Sequence, residues 1–443
     1  MFKIKGILTT VSCLTMLMAS GILYAQQAQD SIIISLDQAI EIALDESRTI
    51  KIADISIEKS GYAKKGTYSA LYPNINASGS YQRTLKKQIM AMDFGGQAME
   101  IEVGKWNNVN AGISAAMPLI NAQLWESLKL SALDVELAVE QARSSKISMV
   151  SQVKKAYYAV LLAQQVHEVY KDVYDNAAKN FEYTEQLYNA GKTSEYEYLR
   201  MQVNVKNAEP NVYSSLTAID LAIWQLKALM GIDLATKIGV QGNIDQYKDE
   251  LMTYTTSDEV NLENNSTLTQ LSLQNEQLER TIKMTKFQYI PTLSASFAYN
   301  YIAMGDDFNF KWNPYSVAGL TLNIPIFDGF LKRNNIRQYQ ASQNMLELTM
   351  EDTERNLRVA FKNYENEIAT FMKNYAAAES TLEMAQRSYD IAERMYELGK
   401  TTILELNDAQ LALVQAQLTM SRTVYNFMVT KASIEELVGD EFR

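Results

Sequence analysis

The chain has 443 residues and a formal net charge of −11, with 41 lysines and arginines against 52 aspartates and glutamates. This acidity argues against nucleic acid as a partner and against electrostatic docking on anionic lipid. A single histidine and a single cysteine exclude the usual zinc sites and histidine-based nucleophilic triads. We therefore predict no cofactor, no metal site and no enzyme activity.

Residues 1–25 have the pattern of a secretory signal peptide. Two lysines precede an apolar stretch, and Leu23-Tyr24-Ala25 has the pattern of a cleavage site. We expect the mature chain to begin near Gln26 and to lose Cys13 with the signal. Beyond Ala25, no apolar run reaches the length of about 18 residues that a membrane helix needs, so a membrane-spanning part must consist of strands.

The rest of the chain is a tandem repeat. The tripeptide Gly191-Lys192-Thr193 recurs as Gly399-Lys400-Thr401, and both this pair and the glycines Gly231 and Gly439 lie 208 positions apart. Self-similarity at a fixed spacing must be identified before any fold is assigned. We predict a first repeat at 26–231, a small collar segment at 232–266 and a second repeat at 267–443.

The first repeat is predicted to begin with a helix and continue with two strands. Ser35 and Gln38 form a capping-box pattern, and helical character extends to about Leu71 before Pro73 breaks it. Apolar and polar residues then alternate over about 74–83 and 106–117, on either side of a polar loop that contains glycine. We expect Pro118 to end the second strand.

The second repeat shows the same alternation over about 292–302 and 315–324. Segments of about ten alternating residues with aromatic residues near their ends are typical of membrane β-barrel strands. The candidate membrane-interface aromatics are Trp106, Trp312, Tyr81, Tyr299 and Tyr301. The alternation alone also fits soluble β-hairpins that cap a coiled coil.

Long helices with apolar residues at heptad spacing follow each pair of strands. In the second repeat one such series is Phe361, Ile368, Tyr375, Leu382, Tyr389 and Tyr396. Sustained heptads indicate a coiled-coil seam. The helices before and after 191–193, and those before and after 399–401, are predicted to form long antiparallel hairpins with these tripeptides at their tips. A kink is expected at Pro210.

Four strands in one chain cannot close a barrel in lipid. About eight strands are the fewest that close around filled space, and a lipid bilayer tolerates no open sheet edge. Two chains would supply eight strands and three chains would supply twelve.

In sequence, the chain resembles the TolC-like outer-membrane efflux ducts. The motifs that carry the resemblance are residues 36–44, Leu71-Tyr72-Pro73, Tyr289-Ile290-Pro291, Pro325-Ile326-Phe327-Asp328-Gly329 and the tip segment 396–410. The resemblance implies a mostly α-helical homotrimer with a twelve-stranded barrel in the outer membrane, four strands from each chain, and an α-helical barrel in the periplasm. It also implies a periplasmic adaptor, an inner-membrane pump of RND or ABC type, and contact with outer-membrane lipid.

The resemblance also implies roles for the hairpin tips. Gly191, Lys192, Thr193, Gly399, Lys400 and Thr401 are the expected adaptor-docking residues. Glu405 and Asp408, with Glu197 and Tyr396, match the family's periplasmic gate, where rings of carboxylates favour cations. Thr401 stands where the family often has an arginine.

The Gly-Lys-Thr tips suggest a phosphate-binding loop, but the positions five before each glycine are Gln186 and Arg394, not glycine. His167 is expected to be a packed, hydrogen-bonded histidine.

The alternative to an export duct is a secreted coiled-coil adaptor or scaffold of the periplasm that has no membrane barrel.

Overall fold

A computed structural model describes residues 32–94 and 97–440. The expected signal peptide and Cys13 lie outside these residues. The described chain forms two compact units, one of residues 32–47, 149–255 and 367–432, and one of residues 48–148, 256–366 and 433–440.

Helices make up most of the described chain. Their bounds are α1 Leu36–Glu46, α2 Arg48–Ser69, α3 Ala122–Asn189, α4 Glu195–Met230, α5 Lys248–Thr253, α6 Ser266–Phe287, α7 Leu331–Glu397 and α8 Ile403–Val438. The predicted capping box is present at α1, where the Ser35 side chain accepts the Gln38 backbone N–H and the Gln38 side chain accepts the Ser35 backbone N–H. Ser47 separates α1 from α2, so the predicted first helix is divided in two.

The strands of the described residues form three sheets. Their bounds are β1 Ile32–Ile34, β2 Asn74–Arg83, β3 Gln88–Phe94, β4 Gln97–Val103, β5 Asn107–Ile120, β6 Ile238–Val240, β7 Thr292–Gly305 and β8 Trp312–Asn323. An antiparallel sheet in the order β2-β5-β7-β8 contains the four predicted alternating segments. The mostly helical fold with a smaller strand part is therefore confirmed.

The first unit is held together where α3 contacts the small parallel sheet of β1 and β6. The side chain of Tyr157 is buried, and its hydroxyl group contacts the carbonyl oxygens of Gln241 at 2.6 Å and Ile34 at 3.2 Å. Burial, and the nearby Tyr247, raise the pKa of Tyr157 to about 12. The 232–266 segment thus contributes β6 to this core.

The structure differs from the sequence-based expectation in the segment between β2 and β5. The sequence predicts a loop here, but β3 and β4 pair antiparallel from Gln88–Val103 to Phe94–Gln97.

The two prolines that were expected to interrupt an element lie inside one. Pro118 does not end β5, because the strand continues to Ile120 with a register irregularity after Pro118. Pro210 lies inside α4, and the helix continues on both sides of it.

Candidate functional site

Both hairpin tips end their first helix in the same way. Gly191 and Gly399 adopt positive φ angles of 71° and 68°. Gly191 donates its N–H to the Tyr188 carbonyl at 2.9 Å, and Lys192 donates to the Leu187 carbonyl at 2.8 Å. This pair of bonds is a Schellman motif, and the second tip repeats it at the same two distances. The glycines therefore close the turn. Lys192 and Lys400 directly follow them in the chain and are exposed.

The Glu405 carboxylate is part of the helix cap at the second tip. It accepts the backbone N–H of Thr402 at 3.2 Å, while the Thr402 side chain accepts the backbone N–H of Glu405 at 3.4 Å. This reciprocal pair is a capping box. The hydroxyl of Thr401 also donates to the Glu405 carboxylate. Thr401 thus binds one of the carboxylates expected at the gate.

Asp408 lies one turn further along α8, and like Glu405 it is exposed. The opposite side of the helix is buried through Ile403 and Leu406, which are each 1 % exposed and pack in a cluster with Met201. This packing fixes the face of α8 that carries the two carboxylates. The structure therefore brings Glu405 and Asp408 together on one solvent-facing surface.

Glu197 holds the matching place at the first tip. Its backbone N–H is donated to the side chain of Ser194 at 3.2 Å, which caps α4. Its side chain is half-buried. The negative charge of Glu197 also lies close enough to Tyr396 to affect that phenol, so the two expected gate residues are neighbours.

Tyr396 links the ends of α7 and α3. Its hydroxyl lies 3.0 Å from the Thr184 hydroxyl, which itself donates to the Asn180 carbonyl at 2.9 Å. Burial raises the pKa of the Tyr396 phenol, the Thr184 contact lowers it, and the charge of Glu197 raises it. A phenol with a raised pKa stays protonated at neutral pH and can donate this hydrogen bond.

The strand register brings most apolar residues of the four strands to one face of the sheet, while Ile302, Met304, Tyr315 and Val317 lie on the other. Residues that pair directly across neighbouring strands share a face. The apolar residues of this face are Ile75, Ala77, Gly79 and Tyr81 of β2, Val109, Ala111, Ile113, Ala115 and Met117 of β5, Leu293, Ala295, Phe297, Tyr299, Tyr301 and Ala303 of β7, and Trp312, Ala318, Leu320 and Leu322 of β8. The other face is mostly Asn, Ser, Thr and Gly.

Four of the five expected interface aromatics lie on this apolar face. Tyr81 and Trp312 lie at the two edges of one cross-strand row, which runs through Val109 and Ala303. Tyr301 and Tyr299 lie in the next two rows of the face, and their hydroxyls are 3.3 Å apart. All four are close to the end of the sheet that carries the β2–β5 and β7–β8 connections.

Trp106 differs from the other four aromatics. It precedes β5, is half-buried, and has Lys87 Nζ 4.6 Å from its ring centroid. Lys87 and Lys105 both pair with Asp306, at 3.4 Å and 2.5 Å. The hydrogen bond from Lys105 holds the pKa of Asp306 below its usual value. Trp106 is therefore part of a polar cluster in the connections beyond the sheet.

His167 is held by a hydrogen bond rather than placed in a reactive site. Its Nδ1 lies 2.9 Å from the Ser215 hydroxyl, and that hydroxyl donates to the Val212 carbonyl at 2.8 Å. In the part of the chain that the structure describes, no cluster of three or more His, Cys, Asp or Glu residues could hold a metal ion. Within the same residues, no helix is both long enough and apolar enough to cross a membrane.

Solved structures with this architecture are outer-membrane channels. The CmeC channel of Campylobacter jejuni superposes with a TM-score of 0.74 at 15% identity, covering 95% of this chain and 90% of that one. The VceC protein of Vibrio cholerae gives a TM-score of 0.70 at 14% identity, covering 92% and 97%. The fold is that of an outer-membrane channel.

The sequence comparisons assign the family. The outer membrane efflux protein family matches residues 39–232 and 259–440. The outer membrane protein TolC of Vibrio cholerae is 21% identical over 387 residues, which cover 84% of this chain and 83% of the relative. The efflux pump protein TtgC of Pseudomonas putida KT2440 is 22% identical over 422 residues, which cover 91% and 83%. The chain belongs to the outer membrane efflux protein family, as its motifs predicted. It is an outer-membrane efflux protein.

Proposed function

We propose that three copies of this chain form a passive exit duct of a tripartite efflux system. The observation that carries the proposal is the four-stranded sheet, which has one continuous apolar face and whose outer strands β2 and β8 each pair on one side only. Backbone groups without partners cost several kcal/mol each in hydrocarbon. Neighbouring copies would pair β8 of one chain with β2 of the next, and three copies would give twelve strands.

Exposed apolar residues on α4 also support assembly of several copies. They include Tyr196, Leu199, Val203, Tyr213 and Trp224, which are between 48% and 67% exposed. Exposed apolar surface of this extent usually marks an interface with another protein. In the proposed trimer, helices of neighbouring copies cover this surface and form a helical tube in the periplasm.

The duct would receive its cargo from an inner-membrane pump of RND or ABC type through a periplasmic adaptor. The adaptor would bind the tips at Gly191, Lys192, Thr193, Gly399, Lys400 and Thr401. Both tip glycines and the lysines that follow them are exposed among the described residues, which leaves them accessible to a partner. Relatives are named for chemically unrelated compounds, such as toluene and pyoverdine, which fits a duct that does not select cargo and is not an enzyme.

The proposal includes the domain boundaries that the repeat predicts. Residues 1–25 would be removed as a signal peptide. The repeats at 26–231 and 267–443 would each supply two strands and one hairpin, with the collar at 232–266 between them. Outer-membrane lipid would contact the apolar face of the sheet.

The proposed gate is a ring of carboxylates at the tips. Glu405 and Asp408 share an exposed face of α8, so three copies would place six of these carboxylates around a common axis. Glu197 and Tyr396 would lie beside them and join the tip of one hairpin to that of the other. Concentrated negative charge at a constriction favours cations and binds multivalent cations strongly.

Single-channel conductance in a planar bilayer tests this proposal. The test variant is Glu405→Gln/Asp408→Asn, because glutamine removes the charge but can still form the capping box. Glu168→Gln/Asp172→Asn on α3 removes the same charge from exposed positions 23 and 19 residues before Gly191 and serves as the matched control. Trivalent hexamminecobalt is added on the tip side.

We expect small cation-selective currents that the trivalent ion blocks in the unmodified protein and in the control. In the gate variant, the blocking concentration should rise at least about tenfold, a change that corresponds to about 1.4 kcal/mol. Block that is equally strong in the gate variant would move the gate elsewhere and leave the duct. Protein that stays soluble without detergent and gives no current would overturn the duct itself.

A further inference from the structure

We propose that the connection end of the sheet binds the phosphorylated headgroup of an outer-leaflet lipid through Arg83, Lys86 and Lys311. The inference rests on the proposed membrane placement of the sheet. Although the whole chain is acidic, five cations lie at the end of the sheet that carries the connections: Arg83 ends β2 and is followed by Lys86 and Lys87 at one edge, Lys105 precedes β5, and Lys311 precedes β8 at the other edge.

Arg83 lies where a side chain that binds a lipid headgroup must lie. It is the last residue of β2 and pairs with Asn107. Since side chains alternate along a strand, Arg83 shares the apolar face with Tyr81 and follows it by one step toward the connections. Lys311 directly precedes Trp312 at the other edge of the same cross-strand row. Tyrosine and tryptophan on a lipid-facing surface usually lie at headgroup level, so the cations lie at or just beyond that level.

The three cations are not neutralised within the described chain. The ion pairs of this region join Lys87 and Lys105 to Asp306, whereas Arg83, Lys86 and Lys311 form none among the described residues and are exposed. Glu100 and Glu102 are exposed on β4, which belongs to the separate hairpin beyond the sheet. Asp307 is also exposed, on the β7–β8 connection, and accepts the Asn309 backbone N–H at 3.3 Å. The positive charge of Arg83 lies next to the apolar face, because Arg83 is the last residue of β2.

The chemistry of these side chains favours a phosphate group on a lipid. The planar guanidinium of Arg83 can form two parallel hydrogen bonds to a phosphate, and lysines add point charges. Cations near a membrane surface strengthen binding to anionic lipid by about 1 kcal/mol each, which is about fivefold in affinity. The adjacent apolar face would bind the acyl chains, an interaction that free phosphate cannot make.

The test uses the full-length protein in neutral detergent and measures lipid affinity by native mass spectrometry. The probes are diphosphoryl lipid A, its dephosphorylated counterpart with the same acyl chains, and inorganic phosphate as a competitor. The variant is Arg83→Gln/Lys86→Gln/Lys311→Gln. The matched control is Lys59→Gln/Lys179→Gln/Lys373→Gln, which removes three exposed cations from α2, α3 and α7.

We expect the variant to bind the phosphorylated lipid about a hundredfold more weakly than the unmodified protein, and the control to bind it unchanged. The dephosphorylated lipid should bind the unmodified protein as weakly as the phosphorylated lipid binds the variant. Equal affinity for the two lipids would overturn the proposal. Full displacement by millimolar inorganic phosphate would also overturn it, because it would indicate a site for free phosphate.

A further outcome identifies a competing role for the cations. If the variant loses trimers at unchanged lipid affinity, the cations bind a neighbouring copy and the lipid site is rejected. Bilayer current separates this test from the proposed duct, since the variant leaves the gate residues intact and should conduct as the unmodified protein does. An unmodified protein without current would reject the duct, whatever the lipid affinity in detergent.

Discussion

The two hairpin tips have the same backbone construction and different side chains. At the 208-residue spacing, Gly191 corresponds to Gly399, Ser194 to Thr402 and Glu197 to Glu405. Both helices end in a Schellman motif, and both following helices begin with a hydroxyl cap three residues before a glutamate. The repeated part is thus the turn and its caps, which are interactions that any sequence with these residues can form locally.

The tips differ one turn beyond the caps. Asp408 in the second tip corresponds to Arg200 in the first, and the buried Leu406 corresponds to Tyr198, whose ring stacks on Tyr188 at 4.9 Å. At these two positions the second tip therefore presents two carboxylates, whereas the first presents one carboxylate and one guanidinium, with Glu195 as a further carboxylate in the first turn of α4. The two copies therefore share the residues that form the turn and its caps. The charged residues one turn beyond the caps differ between the copies.

The largest expected effect concerns glycines that the two repeats share at the ends of α4 and α8. Gly231 and Gly439 have φ angles of 73° and 79°. A Cβ on Gly231 would lie 2.7 Å from the Glu46 carbonyl oxygen, and a Cβ on Gly439 still closer to that of Asn264. Left-handed strain and steric overlap together should make Gly439→Ala cost about 3 kcal/mol in the free energy of unfolding.

The matched control is Gly399→Ala, where the φ angle is similar at 68° but a Cβ meets open space. Strain alone predicts a loss of about 1 kcal/mol. Thermal unfolding followed by circular dichroism would compare the two variants. Equal losses would show that packing against Asn264 contributes nothing.

A smaller effect is expected at Tyr157, whose counterpart in the second repeat is the buried Glu365. Both contact the segment between the repeats, Tyr157 through the Gln241 carbonyl and Glu365 through the Ser257 backbone N–H at 3.3 Å. Tyr157→Phe would remove the donor of the part-buried Gln241 carbonyl, whereas the Ile34 carbonyl keeps the Gln241 backbone N–H at 2.9 Å. The loss of this one bond should cost about 1 kcal/mol.

The cost of Tyr157→Phe should depend on pH. The pKa of this tyrosine is about 12 in the folded chain, against about 10 when unfolded. Its contribution to stability is therefore complete below pH 10 and is lost as the pH rises through 12. Unfolding free energies of both proteins between pH 8 and 12 would test this, and a difference that stays constant over the range would contradict it.

The smallest expected effect is on ion selectivity at the first tip. Arg200→Asp would give this tip the acidic pair that Glu405 and Asp408 form in the second. If charge alone separates the tips, the ratio of cation to anion permeability should increase about two- to fivefold, because added negative charge raises the local cation concentration. Reversal potentials in a salt gradient measure this ratio. Arg200→Gln should give about half the effect on a logarithmic scale, and no change in either variant would restrict selectivity to the second tip.

The sequence predicted features that depend on local interactions. The alternation in the β2, β5, β7 and β8 segments led to a sheet, and heptads without glycine or proline led to α3 and α7. The cap at Glu405 was also predictable, since Thr402 and Glu405 have capping-box spacing. The β3–β4 hairpin was missed although Gly95-Gly96 between alternating residues is a hairpin pattern. The alternation was also present, since Met99, Ile101 and Val103 alternate with Glu100 and Glu102.

Features that depend on distant contacts could not be predicted. Strands β1 and β6 are three residues each and pair in parallel from positions 206 apart, so no local pattern reveals them. The salt bridges of Asp306 to Lys87 and Lys105 likewise depend on how the two strand connections meet. The resemblance to known ducts pointed to the tips and not to these connections, which explains why Arg83 and Lys311 became visible only from the strand register.

The open edges of the sheet have a consequence for the order of folding events. The ten residues of β2 and the twelve of β8 can leave their outward backbone groups hydrogen-bonded to water only while the chain remains in water. Entry into the bilayer must therefore await the arrival of partner chains. Assembly should then depend steeply on chain concentration, and at low concentration the waiting chains would be exposed to aggregation through the same edges.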